Sequence, residues 1–241
     1  MVLGGFMIPA GFRYIFAIID KPVGILNLTP LEADPVAALS NPVFPPLILH
    51  TWIGAVSIGF MAAATGLLYA SKYDQKLLDG AAKAGLIEGL LVIPQALIGY
   101  WFWLVLESES RYLFNNISAS ILSTGGVQND VSWSFILMII VAVYLVIAGV
   151  IFYYRRSVIL GYSLAPALIL GLLAGEFAHD YGRIPYMVIV GDGGIEVELF
   201  VNKLMIVGIQ DIVAGLVPIL VILLTFIVFL YLYLVKGFLS E

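Results

Sequence analysis

The chain contains no cysteine. Disulfides, thiolate metal sites and iron–sulfur clusters are therefore excluded. Charge is scarce as well: 11% of residues are Asp, Glu, Lys or Arg, against about 25% in soluble domains. Histidine occurs only twice, at positions 50 and 179. No internal repeat or low-complexity tract is present, and no stretch reads as a soluble domain. Nothing in the chain points to nucleic acid as a partner. No cleavable signal sequence is expected, because residues 1–19 lack a basic leader and Arg13 interrupts them.

What is abundant is apolar sequence: 62% of residues are hydrophobic and mean hydropathy is +1.07. The apolar runs are continuous rather than alternating, which argues for spanning helices and against a β-barrel. The expected fold is an all-α integral membrane bundle, a single transmembrane domain over 1–241 with about six apolar segments. These are 1–19, 45–70, 81–106, 131–154, 159–178 and 208–235. All but the first reach the ~20 residues that a span requires.

Orientation follows from the basic residues near helix ends. Lys72, Lys76, Lys83, Arg155, Arg156 and Lys236 fall on one side, expected to be cytoplasmic. Lys21, Arg111, Arg183 and Lys203 fall on the other, together with most of the acids. Trp52, Trp101, Trp103 and Trp133 lie near that outer side, as an interfacial aromatic belt would.

The second segment opens with Pro42, Pro45 and Pro46 and carries His50 about one turn in. Proline is tolerated in a first helical turn, so it marks the start. A histidine in hydrocarbon costs free energy and usually has a task. At ~1.5 Å per residue His50 lies about 7 Å below Pro45, and Met138 about 10 Å below Val131. Glu176 and His179 lie at the outer end of the fifth segment. By depth alone, His50 with Met138, or His50 with His179, suits the two axial positions of a haem. Taken singly, Met138 reads as core packing, and His50 as either a ligand or an interhelical hydrogen bond.

Four pieces, in order, resemble subunit I of the cytochrome bd quinol oxidases: NPVFPPLILHT, LESESRY, WSFILMII and AGEFAHDYGRIPY. The resemblance implies that His50 and Met138 ligate a low-spin haem b. It places Asp180 where the family has a glutamate associated with a high-spin haem b, and Glu109 at an acidic position of the quinol-binding loop. A second haem would then lie near Asp180, Glu176 and His179, either high-spin or with His179 replacing the acid. Arg183 in GRIPY would hold haem propionates, or else snorkel to water.

The chain resembles only the later part of that subunit. An arginine beside the methionine in the family is Ile136 here, the tryptophans flanking the acid are Glu176 and Tyr186, and the quinol loop is shortened to about 107–130. The function so implied is a haem b subunit of a bd-type complex in the cell membrane. It would take electrons from quinol at the outer face and be inactive as an oxidase by itself. Other membrane subunits would supply the missing helices. A haem b anchor of another quinone-linked complex, or a haem-free structural or assembly subunit, are the alternatives. Among the remaining groups, Glu88 is placed to pair with Lys83, face a cavity or serve a proton path. Asp211 suits a helix start. The run GDGG at 191–194 reads as a turn followed by a strand or a short amphipathic piece.

Overall fold

The computed structural model describes residues 2–28 and 31–199. The expected sixth segment, with Lys203, Asp211 and Lys236, lies outside the described residues. Residues up to Val197 form one compact unit, and the account below concerns that unit.

In chain order the elements are α1 (Val2–Asp20), β1 (Ile25–Leu28), β2 (Leu31–Ala33), α2 (Pro35–Ala38), α3 (Phe44–Ala70), α4 (Leu77–Glu109) and α5 (Arg111–Leu122). They continue with α6 (Ser132–Arg155), α7 (Val158–Tyr181), β3 (Tyr186–Val190), β4 (Gly193–Glu196) and the turn α8 (Val197–Leu199). The all-α expectation holds. Four described helices, α3, α4, α6 and α7, are long and apolar enough to cross a membrane, so the protein is a multi-pass membrane protein. The strands add only two small antiparallel hairpins, β1–β2 and β3–β4. Residues 191–194 turn the second hairpin and begin its return strand.

α3 begins with prolines in its first turn, as their missing amides allow. Helix α2 is capped by Asp34, whose carboxylate accepts from the amides of Val36 and Ala37 at 2.9 and 3.0 Å. α4, at 33 residues, is about 50 Å long, more than the ~30 Å hydrocarbon layer. Its ends therefore run into the interfaces, and Glu109 becomes its last residue rather than part of a loop. α5 is a further departure. The shortened loop contains a 12-residue helix, amphipathic and bounded by serines, too short to show as an apolar run.

α3 packs on α4 and α7, and α6 packs on the same two helices, so α3 and α6 occupy one diagonal of the bundle. The closest approach is between α4 and α6. A Cβ placed on Gly149 would lie 2.7 Å from the Gly85 carbonyl oxygen, and one on Gly89 would lie 2.8 Å from that of Leu145. Small residues let these backbones meet, which is how membrane helices gain packing without a hydrophobic driving force. Gly161, Gly171 and Gly175 suit helix contacts with partner chains, but the structure spends them internally. Gly161 receives Leu68 and Phe152, Gly171 receives Val141, and Gly175 receives Met138. The core between the four helices is formed by Leu68, Val92, Leu145, Phe152, Leu164 and Leu168. Ile159, Leu97 and Leu173 point outward, each more than 60% exposed, as lipid-facing side chains do.

α1 ends, α3 begins, α4 ends and α7 ends on one side of the bundle. That side also carries both hairpins, α2 and α5. Among the described residues the opposite side has, as connections, the short segments 71–76 and 156–157. The expected basic residues Lys72, Lys76, Arg155 and Arg156 lie there. It is therefore called the inner side below.

Candidate functional site

The ionisable groups of the outer side gather where α1 meets α7. Asp20, the last residue of α1, is fully buried. Its Oδ2 lies 2.7 Å from Nε2 of His179, and its Oδ1 lies 3.7 Å from Nη1 of Arg183. Arg183 also pairs with Asp180, one turn back. Nδ1 of His179 faces Asp180 Oδ1 at 3.7 Å. The rings of Phe16 and Phe102 flank the imidazole, with centroids 5.8 and 5.9 Å away. Phe16 also carries two guanidinium groups, Arg13 and Arg183, each 5.3 Å from its centroid. Below this cluster Arg13 donates to Glu176 Oε1 at 2.5 Å.

Asn41 holds the cluster's frame. Its Nδ2 donates to the carbonyls of Ala17 and Lys21 at 2.9 and 2.8 Å, and its Oδ1 accepts from the Val43 amide at 3.0 Å. One buried amide side chain thus adds a second donor to two carbonyls at the end of α1, which also accept backbone amides, and orients the entry to α3. That accounts for the asparagine in NPVFPP without any ligand.

The four expected site residues of this segment are brought together. Glu176, His179 and Asp180 place one ligand atom each within 4.8 Å of one another. All three are nevertheless already engaged by Arg13, Asp20 and Arg183. His179 has both ring nitrogens turned to carboxylates, which leaves it no free lone pair for iron in this arrangement. Arg183 keeps one nitrogen, Nη1, without a hydrogen-bond partner.

His50 lies apart from that network. Its Nδ1 is 3.1 Å from the backbone carbonyl oxygen of Gln95 on α4. A carbonyl only accepts, so Nδ1 carries the proton, and in the neutral imidazole Nε2 presents a lone pair. Metal-bound histidines are held in the same way, with the other ring N–H donated to a backbone carbonyl that fixes the ring. Gly99 leaves room for the ring: a Cβ there would sit 3.3 Å from Cε1. The charges of Arg13 and Glu176 are near enough to act on His50.

Met138 sits on α6 with its Sδ 3.1 Å from the position of a Cβ on Gly175, next to Glu176. His50 is thus held against α4 and Met138 against α7, on the two helices of one diagonal. Ile136 is 37% exposed on the outside of the bundle.

Glu109 pairs with Lys21 at 3.3 Å. The groove above the bundle is lined instead by Glu107, Arg111, Tyr112, Asn115, Gln128 and Asp192, and encloses about 890 Å³. Its floor is rigid. Tyr112 donates to the Ile184 carbonyl at 2.8 Å, and Asn116 Nδ2 donates to that of Gly182 at 2.8 Å. These two bonds tie α5 to the turn after α7. Burial pushes the Tyr112 phenol up. At the start of α6, hydrogen bonds from the Ser132 hydroxyl and amide hold the Asp130 carboxyl below the usual range.

Sequence reasoning missed Asp20, Arg13 and Asn41 as members of this site. The signal was present in part: Arg13 lies within an apolar helix, and such a charge requires a partner. Comparison with known proteins adds no relative: no family model, curated protein or solved structure matches the chain.

Proposed function

We propose that the chain is a haem b subunit of a quinol-oxidising membrane complex of the bd type, in the cell membrane and corresponding to the later half of its first subunit. The observation that supports this best is His50. It is an intramembrane histidine whose Nδ1–H is held by the Gln95 carbonyl, with Nε2 left as a lone-pair donor. Met138, on the helix diagonal to that of His50, would supply a thioether as the second protein ligand. Arg13 and Arg183 are the cations at the right level for the propionates.

Haem, when bound, supplies one-electron exchange, and thioether ligation raises its potential relative to a second histidine. The protein's own residues hold the imidazole tautomer, fix its ring plane against Gly99 and exclude water around it. Quinol is placed in the outer groove. There Glu107 and Asp192 are the lining carboxylates available to take a proton, whereas Glu109 is paired with Lys21. Partner subunits supply the oxygen-reducing site and the remaining helices.

The test is the reduced-minus-oxidised spectrum of the purified complex carrying Met138→Leu. That change nearly conserves volume and costs below about 1.5 kcal/mol of packing. The haem is expected to become high-spin or to fall in potential. An unchanged spectrum and potential would remove Met138 as a ligand.

A second reading is supported by the engagement of His179, Asp180 and Glu176 in ion pairs. On that reading the outer end of α7 is structural, and the complex carries one haem per chain here rather than two.

A further inference from the structure

The polar groups that the haem reading leaves unused lie in the seam between α3 and α4. A Cβ placed on Gly54 would lie 3.0 Å from the Gln95 side chain, one on Gly80 3.3 Å from Leu67, and one on Gly99 3.3 Å from His50. This antiparallel register sets position 88 opposite position 60, one turn from Ser57. On α3, His50, Gly54 and Ser57 follow helical spacing along one face; on α4, Glu88, Gln95 and Gly99 do the same. One seam therefore carries Glu88, Ser57, Gln95 and His50 in order, from the inner half outward.

Glu88 has 0% exposure, and neither of its carboxyl oxygens has a hydrogen-bond partner. Ser57 is likewise fully buried with its Oγ unpartnered, and so is the hydroxyl of Tyr162 on α7. At ~1.5 Å per residue, Tyr162, Glu88 and Ser57 lie about 6, 16 and 20 Å from the inner ends of their helices. The core around this level is Val92, Leu145, Ala148, Leu164 and Leu168, none of them ionisable. No charged side chain among the described residues acts on Glu88, and Lys83 on its own helix is exposed. A lone carboxylate in such surroundings costs several kcal/mol or more unless something neutralises it. Among the described residues no cationic side chain is at hand, and a proton neutralises the group at least cost.

We propose that Glu88 is a proton-binding site of the membrane interior, loading and releasing one proton through the polar line of the α3–α4 seam. The carboxylate takes up a proton to become the neutral acid and returns it. No other bond changes. Ser57 is the hydroxyl placed to relay outward toward Gln95, and the Tyr162 hydroxyl is the nearest unpartnered group toward the inner side. The proposal stands whether or not the chain holds haem.

The experiment is infrared spectroscopy of the wild-type complex and of Glu88→Gln, in H₂O and in D₂O. The expected result is a protonated-carboxyl C=O band present in wild type, absent in Glu88→Gln and shifted by D₂O. No band difference between the two proteins would mean that Glu88 is ionised and holds a metal cation such as sodium, which overturns the proposal. A band that fails to shift in D₂O would mean a sealed acid that exchanges nothing, which overturns it equally. If Glu88→Gln does not assemble, Glu88→Asp serves: the band should move in frequency rather than disappear, and an unmoved band contradicts the assignment.

Discussion

The two histidines occupy the outer ends of neighbouring helices, yet their surroundings differ in one decisive respect. His179, at the end of α7, turns Nε2 to a fully buried aspartate and Nδ1 to a second carboxylate. His50, near the start of α3, has one nitrogen on a backbone carbonyl and the other free of any hydrogen-bond partner among the described residues. The first arrangement consumes the imidazole in holding α1 to α7. The second fixes a tautomer and keeps a lone pair for a ligand. Count alone, two histidines in a membrane protein, would have made them a natural pair.

The sharpest way to break this contrast is to remove the structural member. His179→Ala leaves Asp20 as a buried carboxylate with only Arg183, 3.7 Å away, to answer it. Loss of one partner from a buried pair costs about 3–5 kcal/mol. The complex should lose thermal stability, measured as its dissociation temperature in detergent, while haem content per assembled chain stays the same. Loss of haem without loss of stability would reverse the roles assigned to the two histidines.

A smaller effect is expected from Asn41→Ala. The Val43 amide loses its partner, and the carbonyls of Ala17 and Lys21 keep only their backbone donors. An unsatisfied buried group costs about 1–3 kcal/mol. The change should loosen the α1–α3 connection, read as faster amide exchange at residues 17–23 with little change at the inner loops.

The smallest concerns Asp130, which precedes α6. Its carboxyl is held below the ordinary value by Ser132 and Ser120. The contribution is therefore present above the unfolded pKa, about 3.9, and is lost as pH falls through the lowered folded value. Asp130→Asn should lower stability slightly near neutral pH and flatten its decline at the acid end, where the two proteins converge. A steeper acid decline in the variant would contradict the assignment.

How legible this was in the sequence depends on the range of the interactions. The four described spans follow from continuous apolar runs, and their ends lie within a few residues of the expected ones. α4 is the largest exception at its termini. It runs to Glu109 because polar residues at a helix end in the interface cost little, so hydropathy alone stops it early. α5 escaped because a 12-residue amphipathic helix resembles a polar loop in composition.

The site divides in the same way. His50 announced itself as an ionisable group in an apolar helix, and Glu88 did so too. The partner of His179 did not, since Asp20 is 159 positions away and its position at a helix end made it look solvated. Gly161, Gly171 and Gly175 show the converse difficulty. Small residues mark a contact, but spacing does not say whether the neighbour belongs to the same chain.

Nε2 of His50 is proposed to bind iron, and His50→Gly with added imidazole puts that claim to the test. The variant opens a cavity against Gly99 at the former ring position. Haem content of the purified complex should fall with His50→Gly and return, with the low-spin spectrum, when imidazole is supplied during assembly. Full haem content and an unaltered spectrum in His50→Gly without imidazole would contradict the claim.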